Sequence, residues 1–238
     1  MSDLKNNIIV ISLGGSLIVP EKIDWQFLKK FRELIIAEIK KGKKFVLITG
    51  GGYTAREYIQ AAAKVTASVT RDDQDWLGIH ATRMNAHLLK TIFRAYAHPR
   101  INKNPKTKAD IQEHFAHGEK IMIAAGWRPG WSTDYVATIL AERLGAATII
   151  NLSNIKYVCD KDPHKFKDAK EIKQISWKDF RRIVGNHWDP GLNAPFDPIA
   201  SKLAQKINAT VIIADGKNLK NLKNILDGGK FQGTVIKN

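Results

Sequence analysis

The chain has 238 residues, 44% apolar and 26% charged, proportions that exclude wholesale disorder, collagen-like repeats and low-complexity architecture. Its 38 lysines and arginines against 23 aspartates and glutamates give a net charge of +15. That excess suits phosphorylated small molecules, nucleic acid or plain solubility, although no stretch forms the aromatic-interleaved basic block of a nucleic-acid reader. Cys159 is the only cysteine, so no intrachain disulfide or multi-cysteine metal site can form, and a reducing, cytoplasmic setting is expected. The longest apolar runs, 8–13 and 147–152, are far short of the ~20 residues that span a bilayer. The polar stretch 1–7 lacks the basic, apolar and small-residue parts of a secretion signal.

In chain order, hydrophobic periodicity predicts strands alternating with helices. Residues 8–13 read as a strand ending in Gly14-Gly15-Ser16. Asp24 then N-caps a helix whose Phe27, Leu28, Phe31, Leu34, Ile35 and Ile39 recur at helical spacing as far as Lys41-Gly42. A second strand, 45–49, leads through Gly50-Gly51-Gly52 into a helix over 53–64, and a longer helix is expected from near Asp75 to Ile92. The loop 98–108 carries Pro99, Asn102, Asn104 and Pro105 and reads as a mobile flap or an ordinary connector. A strand at 120–125, a glycine and proline turn at 126–131, a helix at 132–144 and a strand at 147–152 follow. After a polar, irregular region at 154–173, Ser176 and Asp179 form a capping signal. Asp197-Pro198 opens a helix to about Asn208, and strand 210–214, helix 218–226 and strand 234–236 complete the chain. This alternation predicts an α/β fold, a three-layer αβα sandwich with a mainly parallel sheet. Ligands of such sheets gather beyond the C-terminal ends of the strands.

Three turns leave those ends: Gly14-Gly15-Ser16, Gly50-Gly51-Gly52 and the segment from Gly126 to Thr133. Glycine lets backbone N–H groups approach an anion, and a following helix adds unpaired donors, so each turn suits phosphate. Arg56, one turn into the second helix, can fork onto the same group. Gly50, Gly52 and Ala55 also match a G-x-G-x-x-A dinucleotide fingerprint, with Asp72, Asp73 and Asp75 near the ~20-residue offset of a ribose-binding acid. That fingerprint normally follows the first strand, whereas here another glycine turn comes first. Asp134 and Asp197 fall at predicted helix starts, where they either cap or, at the mouth of a phosphate site, serve Mg²⁺ and phosphoryl transfer. His80 and His87 share a helix face, but no set of metal ligands at fixed spacing accompanies them, so no protein metal site is expected. Neither a G-x-S-x-G elbow nor a P-loop is present.

The order Gly14-Gly15-Ser16, Gly50-Gly51-Gly52 with Arg56, Asp75-Trp76-Leu77-Gly78, Pro129-Gly130-Trp131-Ser132-Thr133-Asp134 and Asp162-Pro163 resembles the amino-acid-kinase superfamily. Within it the chain is similar to uridylate (UMP) kinases of the archaeal-type branch, a likeness that covers almost the whole chain. Its most discriminating part is Asp75 continuing through Thr82-Arg83-Met84-Asn85. The resemblance implies the carbamate-kinase-like fold as one domain, with an acceptor lobe at 1–144 and an ATP lobe at 145–238. It implies phosphorylation of UMP by ATP with Mg²⁺, in pyrimidine nucleotide synthesis, by a dimer-based homo-oligomer, commonly a hexamer, with the helix at 24–41 as an interface.

The same resemblance distributes roles. Gly14, Gly15, Gly52 and Arg56 would face the phosphates, with Gly51 on the UMP side, and Asp75 would accept from the ribose hydroxyls. Trp127, Arg128, Pro129, Gly130, Trp131, Ser132 and Thr133 would wrap UMP, with Thr133 near uracil. Ser153, Asn154, Cys159 and Asp162 would border the ATP nucleoside, while Asp134 and Asp197 organise the reacting phosphates. Several positions depart from the pattern. Ser12 stands where many members carry a lysine, so Arg128 is expected to supply a compensating cation. Lys156 and Tyr157 replace a V-D-G-type sequence, and Cys159 replaces an aromatic residue. Trp127 and Trp131 are bulky for an acceptor loop. The rival readings are a kinase with another acceptor, a non-catalytic nucleotide-binding relative, and an NAD-linked oxidoreductase built on Gly50.

Overall fold

A computed structural model describes residues 8–105, 107–163, 165–185 and 194–238. The stretch 1–7, read above for a targeting signal, lies outside them. The first half of the chain runs β1 (Ile8–Leu13), α1 (Gly15–Ile18), α2 (Trp25–Lys40), β2 (Lys44–Thr49), α3 (Gly52–Val65), α4 (Arg71–Ile92), α5 (Lys108–Glu113), β3 (Ile121–Ala124) and α6 (Thr133–Leu144). The second half adds β4 (Thr148–Ser153), β5 (Val158–Cys159), β6 (Glu171–Ile172), β7 (Gln174–Ser176), α7 (Trp177–Val184), α8 (Pro198–Lys206), β8 (Thr210–Asp215), α9 (Leu219–Leu226) and β9 (Thr234–Lys237).

The main sheet has the order β3-β2-β1-β4-β8-β9-β7. The strands from β3 to β8 are parallel, whereas β9 runs antiparallel to β8 and carries β7 parallel to itself. Because side chains alternate across a strand, the apolar central strands feed two cores. Ile11, Leu13, Phe45 and Leu47 pack with Phe31 of α2, Leu89 of α4 and Leu222 of α9 on one face. Val10, Val46 and Ile48 pack with Leu140 of α6, Trp177 and Phe180 of α7 and Ala204 of α8 on the other. This is the three-layer sandwich that the alternating pattern predicts. Register sets the position of the site: Leu13 pairs with both Thr49 and Leu152, and Ser153 pairs with Asp215, so the strands end level along one edge.

Several helix starts follow the capping signals. The Asp24 carboxylate accepts from Phe27 N at 2.9 Å, that of Asp197 from Ala200 N at 2.6 Å, and the Ser176 hydroxyl from Asp179 N at 3.1 Å. α4 begins at Arg71 rather than near Asp75, because Thr70 and Asp73 form a reciprocal capping box. The loop after α4 is a connector anchored to the sheet edge: His98 N and Asn102 N donate to Ile121 O and Ile123 O at 3.0 and 2.8 Å, before the chain enters α5. The region read as irregular contains β5 and β6, a separate antiparallel pair.

Candidate active site

The first two glycine turns meet backbone to backbone. Gly14 N donates to Leu152 O at 2.8 Å and Gly50 N to Leu13 O at 2.9 Å, which fastens both turns to the central strands. A Cβ on Gly15 would lie 2.0 Å from Gly52 N, and one on Gly52, whose φ is +68°, would lie 2.4 Å from Gly15 O. No other residue fits either place. Close approach to the first turn thus accounts for Gly50 and Gly52 of the fingerprint without a dinucleotide. Arg56 reaches from α3 back across the junction, with Nη1 3.4 Å from Ser16 Oγ, so its guanidinium joins the second turn to the first.

Beside this junction lie the two acids. The Ser12 hydroxyl donates to Asp134 Oδ1 at 3.0 Å, and Asp197 N donates to Asp134 Oδ2 at 3.3 Å. The cap of α6 is Ser132, whose hydroxyl accepts from Tyr135 N at 3.1 Å. Asp134 is thereby released from capping and turned toward the strand ends, whereas Asp197 both caps α8 and enters the site. Burial, and next the Asp197 charge, push Asp134 up to about 6. Burial also raises Asp197, against hydrogen bonds from Ala200 N and the Ser132 hydroxyl. Thus Ser12 offers the carboxylate pair one neutral hydrogen bond where the family pattern has a charge.

To one side of the junction α4 grips the second and third turns. Asp75 Oδ2 accepts from Gly130 N at 2.7 Å, and burial raises its pKa. Thr82 Oγ1 donates to Ile79 O at 2.6 Å and accepts from Gly126 N at 2.8 Å. Arg83 Nη2 donates to Trp127 O at 3.0 Å, and Asn85 Nδ2 to Gly50 O at 2.8 Å. The sequence reading did not assign these positioning roles to Thr82, Arg83 and Asn85. For Thr82 the signal was its place seven residues, two helical turns, from Asp75 on one face of α4, whereas Arg83 and Asn85 carried no such signal. Within the third turn, Trp127 stacks on Trp131 with centroids 6.2 Å apart, and Trp131 on Tyr135 at 4.1 Å. The Arg128 guanidinium stands 4.5 Å from the Trp127 ring centroid and 5.5 Å from that of Trp131. In this arrangement Arg128 lies on the indoles rather than at the Ser12–Asp134 contact. Pro129 precedes the glycine that meets Asp75, and Thr133 opens α6.

On the other side of the acids lies a cavity of ≈ 720 Å³, lined by Asn154, Tyr157, Cys159, Asp162 and, from α7, Ile183 and Val184. Ser153 stands outside this lining. Its hydroxyl accepts from Ile155 N at 3.1 Å and its Cα sits against Gly14, closing the floor between the first turn and β4. The edge therefore carries a cavity, two interlocked glycine turns, an acid pair and a clamped third turn.

This arrangement belongs to a phosphotransferase class: residues 7–215 match the amino acid kinase family, and the chain is a member of it. Within the family it is similar over nearly its full length to uridylate kinases. It is 34% identical over 224 residues to the uridylate kinase of Thermoplasma volcanium, covering 94% of each chain. It is 32% identical over 231 residues to that of Pyrococcus abyssi, covering 96% of this chain and 98% of the relative. The crystal structure of uridylate kinase from Archaeoglobus fulgidus matches with a TM-score of 0.78 at 27% identity, over 96% of this chain and 99% of that one.

Proposed function

We propose that this protein transfers the terminal phosphoryl group of ATP to UMP, forming UDP and ADP. The observation that carries the reading is the convergence on one sheet edge of the Gly15–Gly52 junction, the Asp134–Asp197 pair and the Asp75 clamp, with the large cavity beside them. The acceptor is already an anionic phosphate, so a strong base is unnecessary, and the obstacle is repulsion between polyanions. Catalysis then rests on holding the two phosphates in line and on donors that meet the developing charge. Backbone N–H groups of the first two turns and the Arg56 guanidinium supply such donors, Asp75 takes the ribose hydroxyls, and the Trp127 to Thr133 turn wraps UMP. Asn154, Cys159 and Asp162 border the donor nucleoside.

Asp134 and Asp197 offer hard carboxylate oxygens that fit Mg²⁺, and the ion, when bound with ATP, neutralises phosphate charge. Arg128 would leave its indole platform to supply the cation that Ser12 does not. The acceptor side corresponds to a lobe at 1–144 and the donor side to one at 145–238. Self-association is supported by the exposed Tyr58 and Val65 of α3, Trp76 and Met84 of α4, and Ile23 and Trp25 at the start of α2. A homohexamer built from dimers, acting in cytoplasmic pyrimidine nucleotide synthesis, is the corresponding biological setting. A coupled assay of ADP release with UMP, CMP, isopentenyl phosphate, N-acetylglutamate and aspartate tests the reading. UMP-selective turnover that Asp197→Asn abolishes is the expected result. Turnover with another acceptor alone would overturn the UMP reading. Ser12 favours one second reading, a nucleotide-binding relative without catalysis, and ATP binding with no turnover on any acceptor would establish it.

A further inference from the structure

The donor cavity is walled on one side by the start of β5 and on the other by the C-terminal end of α7. β5 is held firmly: Val158 is 1% exposed, its N donates to Thr234 Oγ1 at 2.9 Å, and it pairs with Ile172. Tyr157, at the bend just before β5, and Cys159 both line the cavity, on either side of the buried Val158 in the chain. The family pattern puts an aromatic residue at 159, where this chain has a thiol. Tyr157 brings a ring to the same cavity from two residues earlier in the chain. Lys156 Nζ stands 5.4 Å from the Tyr157 ring centroid, and Ile183, a large apolar side chain that is 38% exposed, lines the cavity from α7.

We infer that Tyr157 is the stacking surface for the purine base of the phosphoryl donor, with Ile183 and Val184 opposite it and the Cys159 thiol beside the base. The inference rests on reading this cavity as the donor site. A planar base slotted between an aromatic ring and branched aliphatic side chains buries its faces from water, while its edges stay within reach of the polar groups of Asn154 and Asp162. Loss of an aromatic partner weakens base binding by roughly 5- to 100-fold, and the sugar and phosphate contacts remain.

The test uses the full-length protein and its single cysteine as a reporter. In the absence of UMP, the rate at which a thiol reagent modifies Cys159 is followed against ATP concentration for the wild type, Tyr157→Trp and Tyr157→Leu, each matched for thermal melting. Wild type and Tyr157→Trp are expected to be half-protected at similar ATP concentrations, and Tyr157→Leu at about 10-fold more. The KM for ATP should rise in parallel while that for UMP stays constant. Inorganic tripolyphosphate, which has no base, should protect all three equally. An unchanged half-protection concentration in Tyr157→Leu overturns the inference, as does an equal loss in Tyr157→Trp. Turnover with unaltered ATP dependence overturns this stacking role alone. Ring-dependent protection by ATP in a protein that phosphorylates no acceptor overturns the kinase reading and leaves the stacking role standing.

Discussion

The hydroxyl that Ser12 gives Asp134 is neutral, so it offsets little of the cost of holding a carboxylate near Asp197 in a buried place. A carboxyl raised from 3.8 to about 6 costs nothing while protonated and destabilises the fold as pH rises through that window. Asp134→Asn should therefore stabilise the free protein by on the order of 2 kcal/mol at pH 7.5 and have little effect at pH 4. Urea unfolding at both values checks this, and identical effects at the two pH values would contradict it. The guanidiniums separate similarly. Arg56→Ala should lower kcat/KM for ATP by roughly 10- to 100-fold through loss of a charge-assisted contact. Arg128→Ala should reduce turnover and also shift tryptophan emission, since its guanidinium lies on two indoles. Unchanged turnover with shifted emission would confine Arg128 to stacking. At this scale the sequence was informative where a residue acts locally: Asp197-Pro198 announced a helix start. For Asp134 it left capping and catalysis open, because the choice depends on Ser132 taking the cap and on Ser12, 122 residues away, receiving the carboxylate.

Among the elements, α4 does the most positioning, and its hydrogen bonds join turns that follow two different strands. Thr82→Val removes the acceptor of Gly126 N and the donor to Ile79 O within the core. It should cost about 1–3 kcal/mol and raise the KM for UMP, measurable by unfolding and steady-state kinetics. The glycine turns give a sharper contrast. Gly15→Ala would drive a Cβ into Gly52 N at 2.0 Å, backbone against backbone, whereas a Cβ on Gly78 of α4 meets nothing within 4 Å. Gly15→Ala should abolish nucleotide binding or the fold itself, while Gly78→Ala should stabilise by about 0.5–1 kcal/mol as a helix-interior glycine replaced. Comparable melting temperatures for the two variants would refute the interlocked-turn account. The strands, the main helices and the three turns were legible because each has its own periodicity or glycine signal. The start of α4 lies at Arg71, ahead of Asp75, because the Thr70–Asp73 box caps it there. The 98–102 segment and the β5–β6 pair were illegible for another reason. Polar, breaker-rich residues there take their backbone partners from β3 and from each other, a tertiary fact that no local pattern contains.

Across the whole molecule, charge is handled differently at the two ends of the sheet. Far from the strand ends that form the site, buried Glu38 pairs with Lys41 at 2.6 Å and with Lys43, and Lys41 and Lys223 pair with Asp227 at 2.9 and 2.6 Å. Burial raises the Glu38 pKa, but hydrogen bonds from Lys41 and Lys43 outweigh it and leave it below 4.5. Such a group stabilises above that value and loses its contribution as the carboxylate protonates in acid. Glu38→Gln should cost about 1–3 kcal/mol at neutral pH by removing the buried charge that Lys41 and Lys43 share and leaving Asp227 as their only carboxylate among the described residues, progressively less below pH 4, and should leave the KM values for both substrates unchanged. Stability measured against pH would thus show opposite limbs from Glu38 and Asp134. What the sequence could not supply at this scale is the strand order, since β3-β2-β1-β4 results from long-range pairing that decides which turns become neighbours.

The central claim is that a site with a serine where the family pattern has a lysine still transfers a phosphoryl group from ATP to UMP. The most direct measurement follows terminally labelled ATP with UMP and Mg²⁺ in a single turnover and identifies the labelled product, in the wild type and in Asp197→Asn. The account predicts label in the β-phosphate of UDP with the wild type and none with the variant. Label recovered only in ATP or in free phosphate would contradict it.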